Sequence, residues 1–71
     1  MMPLTFANKG VPISISRIGG HDEARRFLES LGFVAGATVT IINEMGGNLI
    51  VNVKDSRVAI SKAMANKILV N

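Results

Sequence analysis

The segment "ARRFLESLGFVAGATVTI", Ala24 to Ile41, constrains this chain more than any other. It opens as an amphipathic helix, breaks at a glycine, and within a few residues alternates as a strand does. The joint between them, "LGFVAG", is almost wholly apolar, where most chains place a polar loop. Ala24, Phe27, Leu28 and Leu31 fall at i, i+3, i+4 and i+7 and make one apolar stripe. Gly32 suits the left-handed residue that ends a helix, and Phe33 stands where a Schellman cap places its apolar contact, against Leu28. Such a joint caps the helix and enters the core in one step.

The helix start also carries its signals. Asp22 and Glu23 put negative charge where the macrodipole favours it, and Asp22 is spaced to pair with Arg26 one turn on. Before the helix, "GVPISISRI" alternates, with Val11, Ile13 and Ile15 on one face and Ser14 and Ser16 on the other. Pro12 is tolerable near the start of that strand, and Gly19-Gly20 ends it.

After the joint, "ATVTIINEM" and "NLIVNVK" read as a hairpin, and face matching sets its register. A two-residue Gly46-Gly47 turn would put Ile41 opposite Asn52, inside against outside. A three-residue loop, Met45-Gly46-Gly47, instead pairs Val39 with Val53 and Ile41 with Val51, so the three-residue loop is expected. It also sets Ile42 opposite Ile50 on the otherwise polar face. A turn at Asp55-Ser56 then brings Val58 opposite Val53 and Ile60 opposite Val51. Ser61 is placed to cap one helical turn, "SKAMAN", and "KILV" is a last strand.

Strands this short must curl around one core. The expected fold is mainly β: a small SH3-like barrel over residues 1–71, with one α-helix inserted after the first strand and a short helical turn before the last. The chain has 71 residues and no cysteine, so disulfides and thiolate metal sites are unavailable to stabilise it. Its 48% hydrophobic content must supply the core. Missing cysteines fit a reducing interior, and no signal peptide or spanning segment is evident, so a soluble, cytoplasmic protein is expected.

The isoelectric point of about 10.0 resembles that of a nucleic-acid binder, but its origin is different. With no Tyr or Cys, the net charge of +3 simply persists to high pH, and eight basic residues are spread among five acids. Stacking aromatics are scarce: Phe6, Phe27 and Phe33 are the whole supply. That argues against single-stranded nucleic acid and against proline-rich peptides.

Catalysis lacks its parts. His21 is the single histidine, no serine sits in a nucleophile elbow, and no lysine follows a glycine pair as in a P-loop. An enzyme is not expected, nor a required cofactor. His21, Asp22 and Glu23 carry ligands that suit Fe(II) or Zn(II), but consecutive residues at a helix start point apart, and a solvated N-terminus is the preferred reading. Ile42 and Ile50 are either an exposed docking patch or covered by the fold, and the second is preferred. Arg25 and Arg26 suit an acidic partner or a solvated face.

These pieces, in this order, resemble the ferrous-iron transport protein A (FeoA) family over essentially the full length. Its marks read here as Pro3-Leu4, Gly10, Ile18-Gly19-Gly20, "FLESLGFVAG" (27–36) and "RVAISKAMANKILV" (57–70). Ala35 departs from the proline common in the family at that place. The resemblance implies a small cytosolic accessory to Fe(II) uptake, whose partner is the membrane permease with a cytoplasmic GTPase domain, ferrous-iron transport protein B. On that reading the partner surface comprises Arg25, Arg26 and Glu29, with Ile42 and Ile50 as apolar anchors. Two alternatives remain: an Fe(II)-handling chaperone, and a stand-alone relative of the SH3-like domain of iron-dependent repressors. The second is disfavoured because the chain has no helix-turn-helix and starts at its own methionine. Direct membrane insertion is not expected, and self-association is left open.

Overall fold

A computed structural model describes all 71 residues. Six strands form one antiparallel sheet: β1 (Met2–Pro3), β2 (Ile13–Ile18), β3 (Thr38–Met45), β4 (Asn48–Val53), β5 (Ser56–Ser61) and β6 (Ile68–Val70). Their order across the sheet is β1-β6-β2-β3-β4-β5. Helix α1 (Asp22–Ser30) joins β2 to β3, and the single turn α2 (Lys62–Ala65) joins β5 to β6. Apolar residues from β2 through β6 meet in one cluster, with Val39, Val51, Ile68 and Val70 completely shielded. Strands that all face one cluster must wrap around it, which gives near-equal extents of 27 × 24 × 22 Å. No ladder joins β5 to β1, so the sheet curls without closing, and both remain edges.

The cap of α1 forms as expected. Phe33 N–H donates to the Leu28 carbonyl at 3.0 Å and Gly32 N–H to that of Glu29 at 3.0 Å, with Gly32 at φ 106°. These are the paired bonds of a Schellman motif. Leu28 and Phe33 are both completely buried. Burying a side chain of either kind stabilises by about 1.5–3 kcal/mol.

The apolar stripe is narrower than expected. Ala24 and Leu31 are half-buried, but Phe27 is 52% exposed. Successive helical residues are turned by about 100°. With Leu28 aimed into the core, its neighbour Phe27 is rotated off it. Asp22 pairs with Arg25 at 2.6 Å rather than with Arg26, the i,i+3 neighbour taking the place of the i,i+4 one.

The first hairpin resolves a conflict between turn and faces in an unexpected way. Val39↔Val53 and Ile41↔Val51 pair as expected, yet Met45 pairs with Asn48, so the turn has two residues, not three. Gly46 and Gly47 both adopt positive φ, 56° and 83°, the requirement of a type I′ turn. A β-bulge between Ile41 and Asn43 absorbs the one-residue mismatch. Asn43 therefore pairs with Ile50, and Ile42 is the extra residue rather than its direct partner.

The second hairpin turns at Lys54-Asp55, both at positive φ, so Val58 pairs with Val51 and Ile60 with Leu49. This is two residues from the expected register, which leaves each residue on its expected face, and Ile60 is buried. In β2, a bulge between Ile15 and Arg17 brings Ile18 into the same core as Ile15. Val11, expected on the buried face, precedes the strand and is 51% exposed. The N-terminus adds what periodicity did not indicate: β1 pairs with β6, and a 3-10 turn at Leu4–Phe6 buries Leu4 completely. Ser61 caps α2 as expected, accepting from Met64 N–H at 3.2 Å.

Candidate functional site

The fold leaves one face of α1 uncovered. The helix is held by Leu28 at its centre and by the cap at its end, and every charged side chain on it is exposed. Arg25 is tied to Asp22, whereas Arg26 and Glu29 make no ion pair. Phe27 lies about 100° round from Leu28, flanked on its other side by Glu23, Ser30 and then Arg26, while Arg25 and Glu29 are about 160° away. A half-exposed phenylalanine with apolar Ala24 and Leu31 on one side and polar Glu23, Ser30 and Arg26 on the other is a composition that interface anchors share. Sequence periodicity concealed it, because Phe27 fits the apolar stripe by spacing and only the direction of Leu28 turns it outward.

Ile42 and Ile50 are half-buried and lie outside the core cluster. They neighbour each other across the bulge on β3 and β4, with Ala59 of β5 beside Ile50. The structure thus makes two patches, one on α1 and one on the sheet.

His21 is the N-cap residue of α1; it is exposed, and its side chain makes no cap hydrogen bond. Asp22 and Glu23 occupy the first turn, also exposed. No group of three or more His, Cys, Asp and Glu side chains converges to hold a metal ion.

An open groove of about 540 Å³ is lined by Thr38, Thr40, Asn52, Asp55 and Arg57. Thr40, Asn52 and Arg57 are consecutive cross-strand neighbours on β3, β4 and β5, and Arg57 Nε donates to Asn52 Oδ1 at 3.5 Å. None of these residues stood out in the sequence as a site: Thr38, Thr40, Asn52 and Arg57 read as polar strand residues and Asp55 as part of a turn. The groove presents hydroxyls, an amide and one charge of each sign, with no histidine or cysteine. No helix is long and apolar enough to cross a membrane.

A curled mainly β sheet, a single capped helix and surfaces with apolar anchors define a small module of the SH3-like class. The FeoA domain model matches residues 2–71, and the chain belongs to the FeoA family. A Methanocaldococcus jannaschii protein, provisionally named Fe(2+) transport protein A, is 33% identical over 70 residues, covering 99% of this chain and 85% of that one. The crystal structure of an iron uptake regulatory protein (FeoA) matches with TM-score 0.89 at 33% identity, covering 99% of this chain and 93% of the other. The zinc complex of Stenotrophomonas maltophilia FeoA, described as a procaryotic SH3 domain protein, matches with TM-score 0.88 at 25% identity over 100% and 91% of the two chains. A manganese-dependent transcriptional repressor shares the fold, with TM-score 0.83 at 20% identity, over 99% of this chain but 42% of its own.

Proposed function

We propose that this chain is a cytosolic accessory of ferrous-iron uptake that works by protein contact with the Fe(II) permease, ferrous-iron transport protein B, and catalyses no reaction itself. The observation that carries the reading is Phe27, 52% exposed on a helix whose other outward residues are charged or polar. Arg26 flanks Phe27 about 100° round the helix; Arg25 and Glu29, about 160° round, join the contact only where the partner wraps the helix, and Ile42 with Ile50 forms a second apolar point. The partner's cytoplasmic GTPase domain is the soluble surface such a module can reach. Family membership supports the iron-uptake context.

The test is an NMR titration of labelled protein with that cytoplasmic domain, loaded with GDP or with a GTP analogue. Shifts confined to α1 would support the reading. Absence of shifts at high concentration would move the contact to the permease's membrane region or remove it.

A second reading, metal handling, draws on the zinc bound to the Stenotrophomonas relative. Here it would use His21, Asp22 and Glu23, with Fe(II) or Zn(II) completing its coordination from a second molecule, since one histidine cannot make a tight site. Near-stoichiometric metal in untagged protein would favour it.

A further inference from the structure

The two edges of the sheet are built differently. β1 is two residues long and ends in Pro3, which blunts it. β5 is six residues, "SRVAIS", with no proline and a single charge, and its ladder with β4 runs without a bulge. Edges of this kind are templates for another strand unless covered.

The hydrogen-bonding side of β5 follows from its turn. In a two-residue hairpin the residues flanking the turn exchange both backbone bonds, so Val53↔Ser56, Val51↔Val58 and Leu49↔Ile60 are the bonded pairs. The N–H and C=O groups of Arg57 and Ala59 and the N–H of Ser61 therefore point away from β4, and no turn or loop of the chain bonds to them, while the Ser61 carbonyl is taken up by α2. Val58 shows the same deficit on the core side. Its partner Val51 is completely buried, yet Val58 is only half-buried, because no strand lies beyond it.

We propose that β5 is an interface for a second copy of this chain, the two β5 strands pairing antiparallel about a two-fold axis through Ala59. That register sets Ala59 on Ala59, Arg57 on Ser61 and Val58 on Ile60. Ala59 then exchanges both backbone bonds with its copy, the Ser61 N–H reaches the Arg57 carbonyl, and each residue meets one on its own face of the sheet. Val58 gains the cover it lacks from the partner strand's isoleucine. A methyl group at the axis keeps two identical side chains from crowding each other there. Moving the axis to Val58 leaves Ser61 unpaired, and moving it to Arg57 sets like charges face to face. The contact is isologous, so it closes at two copies. Pairing one strand buries less than the roughly 1,200 Å² of a standard interface, so the dimer is weak and concentration-dependent.

Sedimentation of the wild type, of Ala59→Lys, of Ala59→Glu and of an equimolar mixture of the two variants tests this. The wild-type mass rises with concentration from 7.6 kDa toward twice that value. Each variant alone places like charges on the axis, and its dissociation constant rises severalfold, up to about fivefold. Because Ala59 is exposed, the far-UV spectrum of each is unchanged. The mixture recovers association as Lys–Glu heterodimers, identified by native mass spectrometry. A wild type that stays monomeric up to about 1 mM, the weakest range of specific affinity, overturns the proposal and leaves the edge to an extended segment of another protein. Variants that associate as the wild type does, or a mixture that does not recover, overturn the axis at Ala59.

Discussion

Lys54 lays its aliphatic stem across Gly32: a Cβ at Gly32 would stand 3.4 Å from Lys54 Cγ and 3.5 Å from its Cδ. Lys54 is itself a turn residue between β4 and β5, at φ 49°. The end of α1 is therefore packed against the turn of a distant hairpin, and the apolar joint is one side of that contact. Gly32→Ala adds left-handed strain, at about 1–2 kcal/mol, while its methyl group meets the lysine stem at ordinary van der Waals distance. Urea unfolding is expected to show a loss of that size with an unchanged m-value. Wild-type stability in the variant would mean that the cap relaxes without cost.

Leu28 and Phe27 are adjacent in sequence and opposite in role. Leu28→Ala removes a completely buried side chain and is expected to cost about 2–5 kcal/mol, a large part of what a domain of this size has. Phe27→Ala is expected to cost under about 1 kcal/mol, since half of the ring is already in water. Thermal unfolding of the two variants side by side checks the direction of the helix. Equal losses would place Phe27 in the core after all.

The same exposure makes Phe27 the residue to change for function. Phe27→Ser should leave the fold intact and abolish the shifts that the permease's cytoplasmic domain induces on α1, with iron uptake falling in parallel. Charge reversal at Arg25 and Arg26 should weaken the contact less, and more so at low salt, because rim charges are screened. Full binding by Phe27→Ser would exclude this face.

Ser61 ends β5 and starts α2. Ser61→Ala removes the oxygen that accepts from Met64 N–H and is expected to cost about 1 kcal/mol, with Ser61→Asp recovering most of it. Hydrogen exchange at the Met64 amide separates a local loss of the cap from a general one.

For the metal reading, Zn(II) titration of the wild type and of His21→Ala is expected to give the same weak binding, since His21 has no convergent ligands in its own chain. A clear loss of affinity in the variant would restore the metal site.

Read alone, the residues were enough for the order of elements from β2 to β6, the Schellman cap and the Ser61 cap, because these are signals between neighbours a few residues apart. Alternation also determined which residues of β3 and β4 face the core. What it could not determine were quantities set by elements distant in sequence. The glycine pair at 46–47 asked for a two-residue turn while the faces asked for an odd offset, and only the sheet showed that a bulge beside Ile42 satisfies both. β1 was invisible because two residues carry no period, and it exists only where β6 lies alongside. Phe27 and the groove around Arg57 belong to the same class. Spacing says which residues share a stripe or a face, but which part of that stripe meets the core depends on where a small, curled sheet has room to receive it.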